Sequence, residues 1–258
     1  MTEMIEVRGV TKAFGGVIAN NEISVDVPEG RITGLIGPNG SGKTTLFNSI
    51  VGYHPIDRGS VKFEGREISD MRVQQIARLG LLRTFQQTRI YSKMNGVQNM
   101  LISLPHHSET YKSMFQKYPP EVTEKAERLL DFVGLYQKRL LISGELSFGQ
   151  QKLLEFAMAL MNEPRVLLLD EPTAGINPTL INGLIDRLKS ASSELGVTLF
   201  VIEHNMSVIM TLADNIYCLA NGRVLAHGAP DEIQNDQRVI NAYLGGHYIA
   251  DDGDDGEN

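Results

Sequence analysis

A chain of 258 residues, 42% apolar and 21% charged, is long enough to bury a substantial interior, either as one large domain or as a core with a smaller lobe. Its 24 basic against 31 acidic side chains leave a formal charge of −7, and the terminal "DDGDDGEN" supplies much of the excess as a tail expected to be disordered, a balance that argues against a nucleic-acid partner. No apolar run approaches the roughly 20 residues that span a bilayer, the first residues lack the basic flank and apolar stretch of a secretory signal, and the single Cys218 has no Cys or His at metal-ligand spacing, so the expected compartment is the cytoplasm.

From the start, "IEVRGVTKAF" and "ISVDVPEG" alternate apolar with polar residues, the pattern of half-exposed antiparallel strands. Ile32–Ile36 is continuously apolar and reads as a buried parallel strand. It runs into Gly37, Pro38, Asn39, Gly40, Ser41, Gly42, Lys43 and Thr44, followed by Thr45 and a helical pattern to Gly52. Gly, four residues, then Gly-Lys-Thr between a strand and a helix is the phosphate-loop spacing. Glycines let backbone N–H groups close around a phosphate chain, and the helix start adds its positive end. Lys43 is expected on the terminal phosphates and Thr44 on Mg²⁺.

Beyond that helix "SVKFEGREIS" returns to the alternating pattern. Between Leu101 and Gly144 the spacing turns helical, "EVTEKAERLLDFVGL" most clearly, so residues 87–160 read as a mainly helical subdomain. His106 and His107 lie beside Pro105 with no carboxylate or Cys at useful spacing and read as loop, and Met158 and Met161 read as helix core. The runs Val166–Leu169 and Val197–Ile202 repeat the buried-strand pattern, separated by the helix Leu180–Ser192, which points to an α/β core with crossovers. "NIYCLANGRVLAHG" is a hairpin around Asn221-Gly222. At the end of the Val166 strand, where α/β sheets bind ligands, stand Asp170 and Glu171. Asp170 is placed to hold Mg²⁺, and Glu171 to accept a proton from an attacking water.

One further segment, "ELSFGQQKLLEFAMALMNEP", precedes that strand, and its Leu146, Ser147, Phe148, Gly149 and Gln150 resemble the signature sequence of ATP-binding-cassette (ABC) ATPases. The resemblance covers residues 5–246, with the other motifs in family order. It implies an α/β P-loop NTPase core with a parallel sheet, an antiparallel β subdomain and a helical subdomain, forming one domain over 1–246 with 247–258 as the tail. It implies that Gln86 in "RTFQQTRIY" is the Q-loop glutamine touching metal and water, that His204 is the switch histidine holding the γ-phosphate, and that Phe14 stacks on adenine. Gly175-Ile176-Asn177-Pro178 stands where the D-loop makes a cross-dimer contact, with Asn177 in place of the usual aspartate; Phe148 replaces a glycine of the signature. Ser147 and Gly149 open a helix aimed at an anion, and in the family that anion is the ATP of a second ABC ATPase subunit, homologous or identical.

The combination "RTFQ", "DEPTAGINP" and "VINAYLGG" further resembles the cassette subunits of branched-chain amino acid importers. That resemblance implies ATP hydrolysis coupled to integral membrane permease subunits, with an extracytoplasmic solute-binding protein as an indirect partner and a peripheral place on the cytoplasmic side of the membrane. Lipopolysaccharide-export cassettes share much of the pattern, and a soluble ABC ATPase of cluster-assembly type is the alternative from another class.

Overall fold

The computed structural model describes residues 2–84, 90–104 and 118–244. Alternation builds the first sheet. In β1 (Glu3–Phe14) and β2 (Val17–Pro28) the inward set Ile5, Val7, Val10, Ile23, Val25 and Val27 is fully buried, while the intervening polar residues face out. With β4 (Arg58–Phe63) and β5 (Arg66–Glu67) they form an antiparallel sheet of order β2-β1-β4-β5.

The second sheet has the order β10-β9-β3-β8-β7-β6, from β3 (Ile32–Ile36), β6 (Leu81–Arg83), β7 (Val166–Asp170), β8 (Thr198–Ile202), β9 (Asn215–Ala220) and β10 (Arg223–Gly228). All pairs are parallel except β9 with β10. Both faces are covered, which explains the unbroken apolar runs. Leu167, Leu169, Leu199 and Val201 point into one core, and Val166, Leu168, Phe200 and Ile202 into the other. The second of these cores also takes the inner face of the antiparallel sheet and Leu46, Phe47 and Ile50 of α1 (Lys43–Ile50).

Helices complete the layers. α2 (Val73–Arg78) precedes β6. α3 (Gly96–Ile102), α4 (Pro120–Phe132) and α5 (Phe148–Met161) form the helical lobe, and Met158 and Met161 pack into its core as expected. α6 (Pro178–Leu195) starts on a proline and ends at Gly196, whose φ of 68° is the left-handed helix stop. α7 (Met206–Leu212), α8 (Pro230–Asn235) and α9 (Gln237–Leu244) pack in succession against one another and against β3, β9 and β10.

One strand goes beyond the sequence pattern, and one expected turn is found where the sequence places it. β6 is three residues long, too short for any periodicity, and adds itself to the sheet through Leu81, Leu82 and Arg83 beside Val166, Leu167 and Leu168. The Asn221-Gly222 hairpin forms, with φ of 48° and 73° at its two positions. Its first strand joins the parallel core by pairing with β3. Cys218 on that strand is buried, and burial pushes its thiol up to about 11, so it is an inert core residue.

Candidate functional site

The loop between β3 and α1 depends on two glycines. At Gly37, φ is 145° and an added Cβ would lie 2.1 Å from the Leu219 carbonyl oxygen. At Gly42, the N-cap of α1, φ is 101° and a Cβ would lie 2.3 Å from the Ala19 carbonyl oxygen. Any side chain at either position would push the loop off the sheet. Asn20 Nδ2 donates to the Gly42 carbonyl at 3.0 Å and ties the turn to β2.

Lys43 is folded into this loop. Its Nζ donates to the carbonyls of Gly37 (2.8 Å) and Pro38 (3.0 Å) and stands 3.4 Å from Ser41 Oγ. Burial lowers its pKa, and the nearby Glu171 and Asp170 carboxylates work the other way. Thr44 and Thr45 follow in the first helical turn, whose N–H groups have no intrahelical acceptor. Asn39 and Gly40 are exposed on the rim and Pro38 is half-buried.

The β7 end supplies acid. Asp170 is 4% exposed, and its Oδ2 receives Arg83 Nη2 at 2.5 Å. Nη1 of the same guanidinium donates to Asn48 Oδ1 at 2.5 Å, so one side chain joins β6, α1 and β7. Glu171 takes the left-handed conformation at φ 51°, uncommon and strained for a non-glycine residue. Its N–H donates to the Ile202 carbonyl, and its Oε1 lies 2.7 Å from His204 Nε2. Glu203, almost fully buried, accepts from both Thr173 N–H (2.9 Å) and Thr173 Oγ1 (2.6 Å), fastening the segment after β7 to the end of β8.

The structure thus gathers Lys43, Asp170, Glu171 and His204 at the C-terminal edge of the parallel sheet. Arg83 and Glu203 support them, and no sequence motif singled out either one. Arg83 had appeared only as a letter of "RTFQ"; its role depends on which strand lies beside β7.

The remaining expected residues sit on other elements. Phe14 ends β1 with its ring exposed, edge-on to His54 at 5.1 Å and with Lys12 Nζ 5.4 Å from its centroid. Leu146 is buried, and Ser147 caps α5 reciprocally: Ser147 Oγ accepts from Gln150 N–H, and Gln150 Oε1 accepts from Ser147 N–H at 3.1 Å. Phe148 is exposed and covers Gly175, where a Cβ would meet the ring at 2.9 Å; Gly149 lies against Leu180 and Ile176. Asn177 caps α6, its Oδ1 accepting from Thr179 N–H and Oγ1. Gln86, His106, His107 and residues 247–258 lie outside the described residues.

Among the described residues no group of three or more His, Cys, Asp and Glu could hold a metal by itself. Thr44 and Asp170 offer one hydroxyl and one carboxylate, a donor set that suits Mg²⁺ when phosphate oxygens and water complete its shell.

Residues 20–174 are matched by the family model for the ABC transporter. The chain belongs to the ABC transporter family of ATP-binding cassettes. Residues 223–249 of the cassette match a second model, described as a branched-chain amino acid ATP-binding cassette transporter. The cassette is 38% identical, over 94% of its length and 98% of the relative, to the high-affinity branched-chain amino acid transport ATP-binding protein BraF of Pseudomonas aeruginosa. It is 33% identical over the same shares to LivG of Escherichia coli, named likewise. The ADP conformation of MJ1267, an ATP-binding cassette of an ABC transporter, superposes with a TM-score of 0.85 at 32% identity, covering 95% of this chain and all of that one. CbiO1 from Clostridium perfringens, part of an ABC transporter complex, gives 0.80 at 26% identity, over 93% and 94%. Among the described residues no helix of the cassette is long and apolar enough to cross a membrane.

Proposed function

We propose that the cassette binds and hydrolyses ATP to drive import of branched-chain amino acids, or a related polar solute, through separate permease subunits. The observation that carries the reading is the 2.7 Å contact between His204 Nε2 and Glu171 Oε1, beside a phosphate loop whose lysine is electrostatically coupled to Glu171. A carboxylate held by a positioned histidine at the end of a buried strand is suited to take a proton from water.

In this reading the N–H groups of Gly40 to Thr45 and the Lys43 ammonium bind the phosphates, Lys43 exchanging the loop carbonyls for phosphate oxygens. Thr44, Asp170 and Gln86 would hold Mg²⁺, which would supply charge neutralisation to the phosphate oxygens. Water attacks the γ-phosphorus, Glu171 takes the proton, the bond to the β–γ bridging oxygen breaks, and ADP and phosphate result. His204 orients Glu171 and the γ-phosphate. Phe14 stacks on adenine.

Ser147 and the backbone N–H groups of Phe148 and Gly149 face the ATP of a second cassette, with Leu146 and Gln150 holding the turn behind them and Asn177 at the contact between the two. ATP then favours the closed dimer, and hydrolysis releases it. That cycle is passed to permeases, which hold the cassette at the cytoplasmic face of the membrane and receive solute from an extracytoplasmic binding protein. The match over 223–249 and the likeness to BraF and LivG support this assembly over a soluble cluster-assembly ATPase.

The test is to recover the tagged chain from gently solubilised native membranes and identify its companions by mass spectrometry. Two permeases and a homologous cassette are expected, with an amino-acid-binding protein after crosslinking. Recovery with soluble companions alone would overturn the transport assignment.

A further inference from the structure

The first glycine of the phosphate loop is held from an unexpected direction. The β3–β9 ladder ends at Ile36 opposite Cys218, so the Gly37 N–H falls just beyond it. That N–H donates to Tyr243 Oη at 2.7 Å, across 206 residues of chain. The Gly37 carbonyl is the 2.8 Å acceptor for Lys43 Nζ. The residue at which strand becomes loop is therefore clamped on one side by the nucleotide-seeking lysine and on the other by α9.

Tyr243 is well placed to hold its end. α9 is anchored by Val239, 1% exposed, and the Tyr243 ring packs into the core that contains Ile36, Cys218 and Ile233. Burial pushes the phenol up to about 12, so its oxygen remains a neutral acceptor at physiological pH. Gly37 cannot shift toward the sheet, because the Leu219 carbonyl closes that side.

We propose that Tyr243 is a positioning residue for the nucleotide and that α9 and the phosphate loop are energetically coupled through the Gly37 N–H. The proposal rests on the phosphate loop being the ATP site. Coupling is reciprocal: if α9 improves nucleotide affinity, bound nucleotide must stabilise α9 by the same factor. A segment far from the ATP site in sequence thereby becomes a handle on it, and whatever holds or releases α9 changes how tightly the loop grips phosphate.

Tyr243→Phe tests this, since it keeps the ring and removes only the accepting oxygen. Two quantities are measured on the full chain, unaltered and substituted: affinity for ATP with Mg²⁺ by titration of a fluorescent analogue, and amide hydrogen exchange over residues 237–244 with and without ATP. The unaltered chain is expected to show slower exchange in α9 when ATP is bound. The variant is expected to bind about five-fold more weakly, the scale of one hydrogen bond, and to lose most of that ATP-dependent protection. A variant with lowered thermal stability but unchanged ATP affinity would make Tyr243 a packing residue only and overturn the proposal. So would an α9 whose exchange ignores ATP in the unaltered chain. Failure of the unaltered chain to bind ATP would remove the ATP-site assignment and this proposal together.

Discussion

Replacing Arg83 by methionine preserves most of the side-chain volume and removes the charge that faces Asp170. The pair is buried, with the two side chains 7% and 4% exposed, and the same guanidinium also serves Asn48 Oδ1. Taking away one partner leaves an uncompensated carboxylate in the interior, which costs about 3–5 kcal/mol. The orphaned Asn48 oxygen adds about 1 kcal/mol. The Arg8–Asp26 pair has an equally short contact but 45% and 41% exposed side chains, and it is expected to contribute only about 0–1 kcal/mol. Urea denaturation of Arg83→Met and Arg8→Met should therefore differ several-fold in destabilisation. The double variant Arg83→Met with Asp170→Asn should recover about 2 kcal/mol relative to the first alone, because the buried charge is gone. A cost below about 1 kcal/mol for Arg83→Met, or no recovery in the double variant, would refute the argument that this guanidinium supports the acid.

Three other outcomes follow, two from the site and one from a histidine of the hairpin. Lys43→Ala should weaken ATP binding at least about ten-fold by isothermal titration, since a buried cation dedicated to the loop is lost; unaltered affinity would sink the loop assignment. His204→Ala should lower phosphate release by about a hundred-fold while ATP affinity changes little, and normal release would show that Glu171 needs no orienting partner. His227 stacks on Tyr217 at 3.8 Å, and burial lowers its pKa from 6.5. The unfolded chain then takes up this proton at a higher pH than the folded one, so stability falls as pH drops below about 6.5 and through the folded value. His227→Phe, which keeps the stack, should flatten that part of the pH–stability curve, and an unchanged slope would contradict the assignment.

What the sequence disclosed and what it hid divide along local and nonlocal lines. The phosphate loop was legible because its glycines are demanded by backbone geometry within eight residues of one another, and the Asn221-Gly222 turn was legible for the same reason. The buried strands were legible because a sheet covered on both faces needs unbroken apolar runs. β6 was not, since three residues carry no period. Nor were the bonds from Arg83 to Asp170 and from Gly37 to Tyr243, which exist only because particular strands and helices become neighbours. Asn177 illustrates a third case: the resemblance gives it a cross-dimer role, while the fold also engages its oxygen in capping α6. One side chain can carry both duties, and the sequence displays only the motif.

The central claim, that ATP closes two of these cassettes on each other and that Glu171 is the base that reopens them, is tested most directly with Glu171→Gln. Light scattering of the purified variant with and without ATP and Mg²⁺ should show a monomer becoming a dimer of twice the mass, while phosphate release stays near background. A variant that remains monomeric with saturating ATP, or one that releases phosphate at the unaltered rate, would contradict the account.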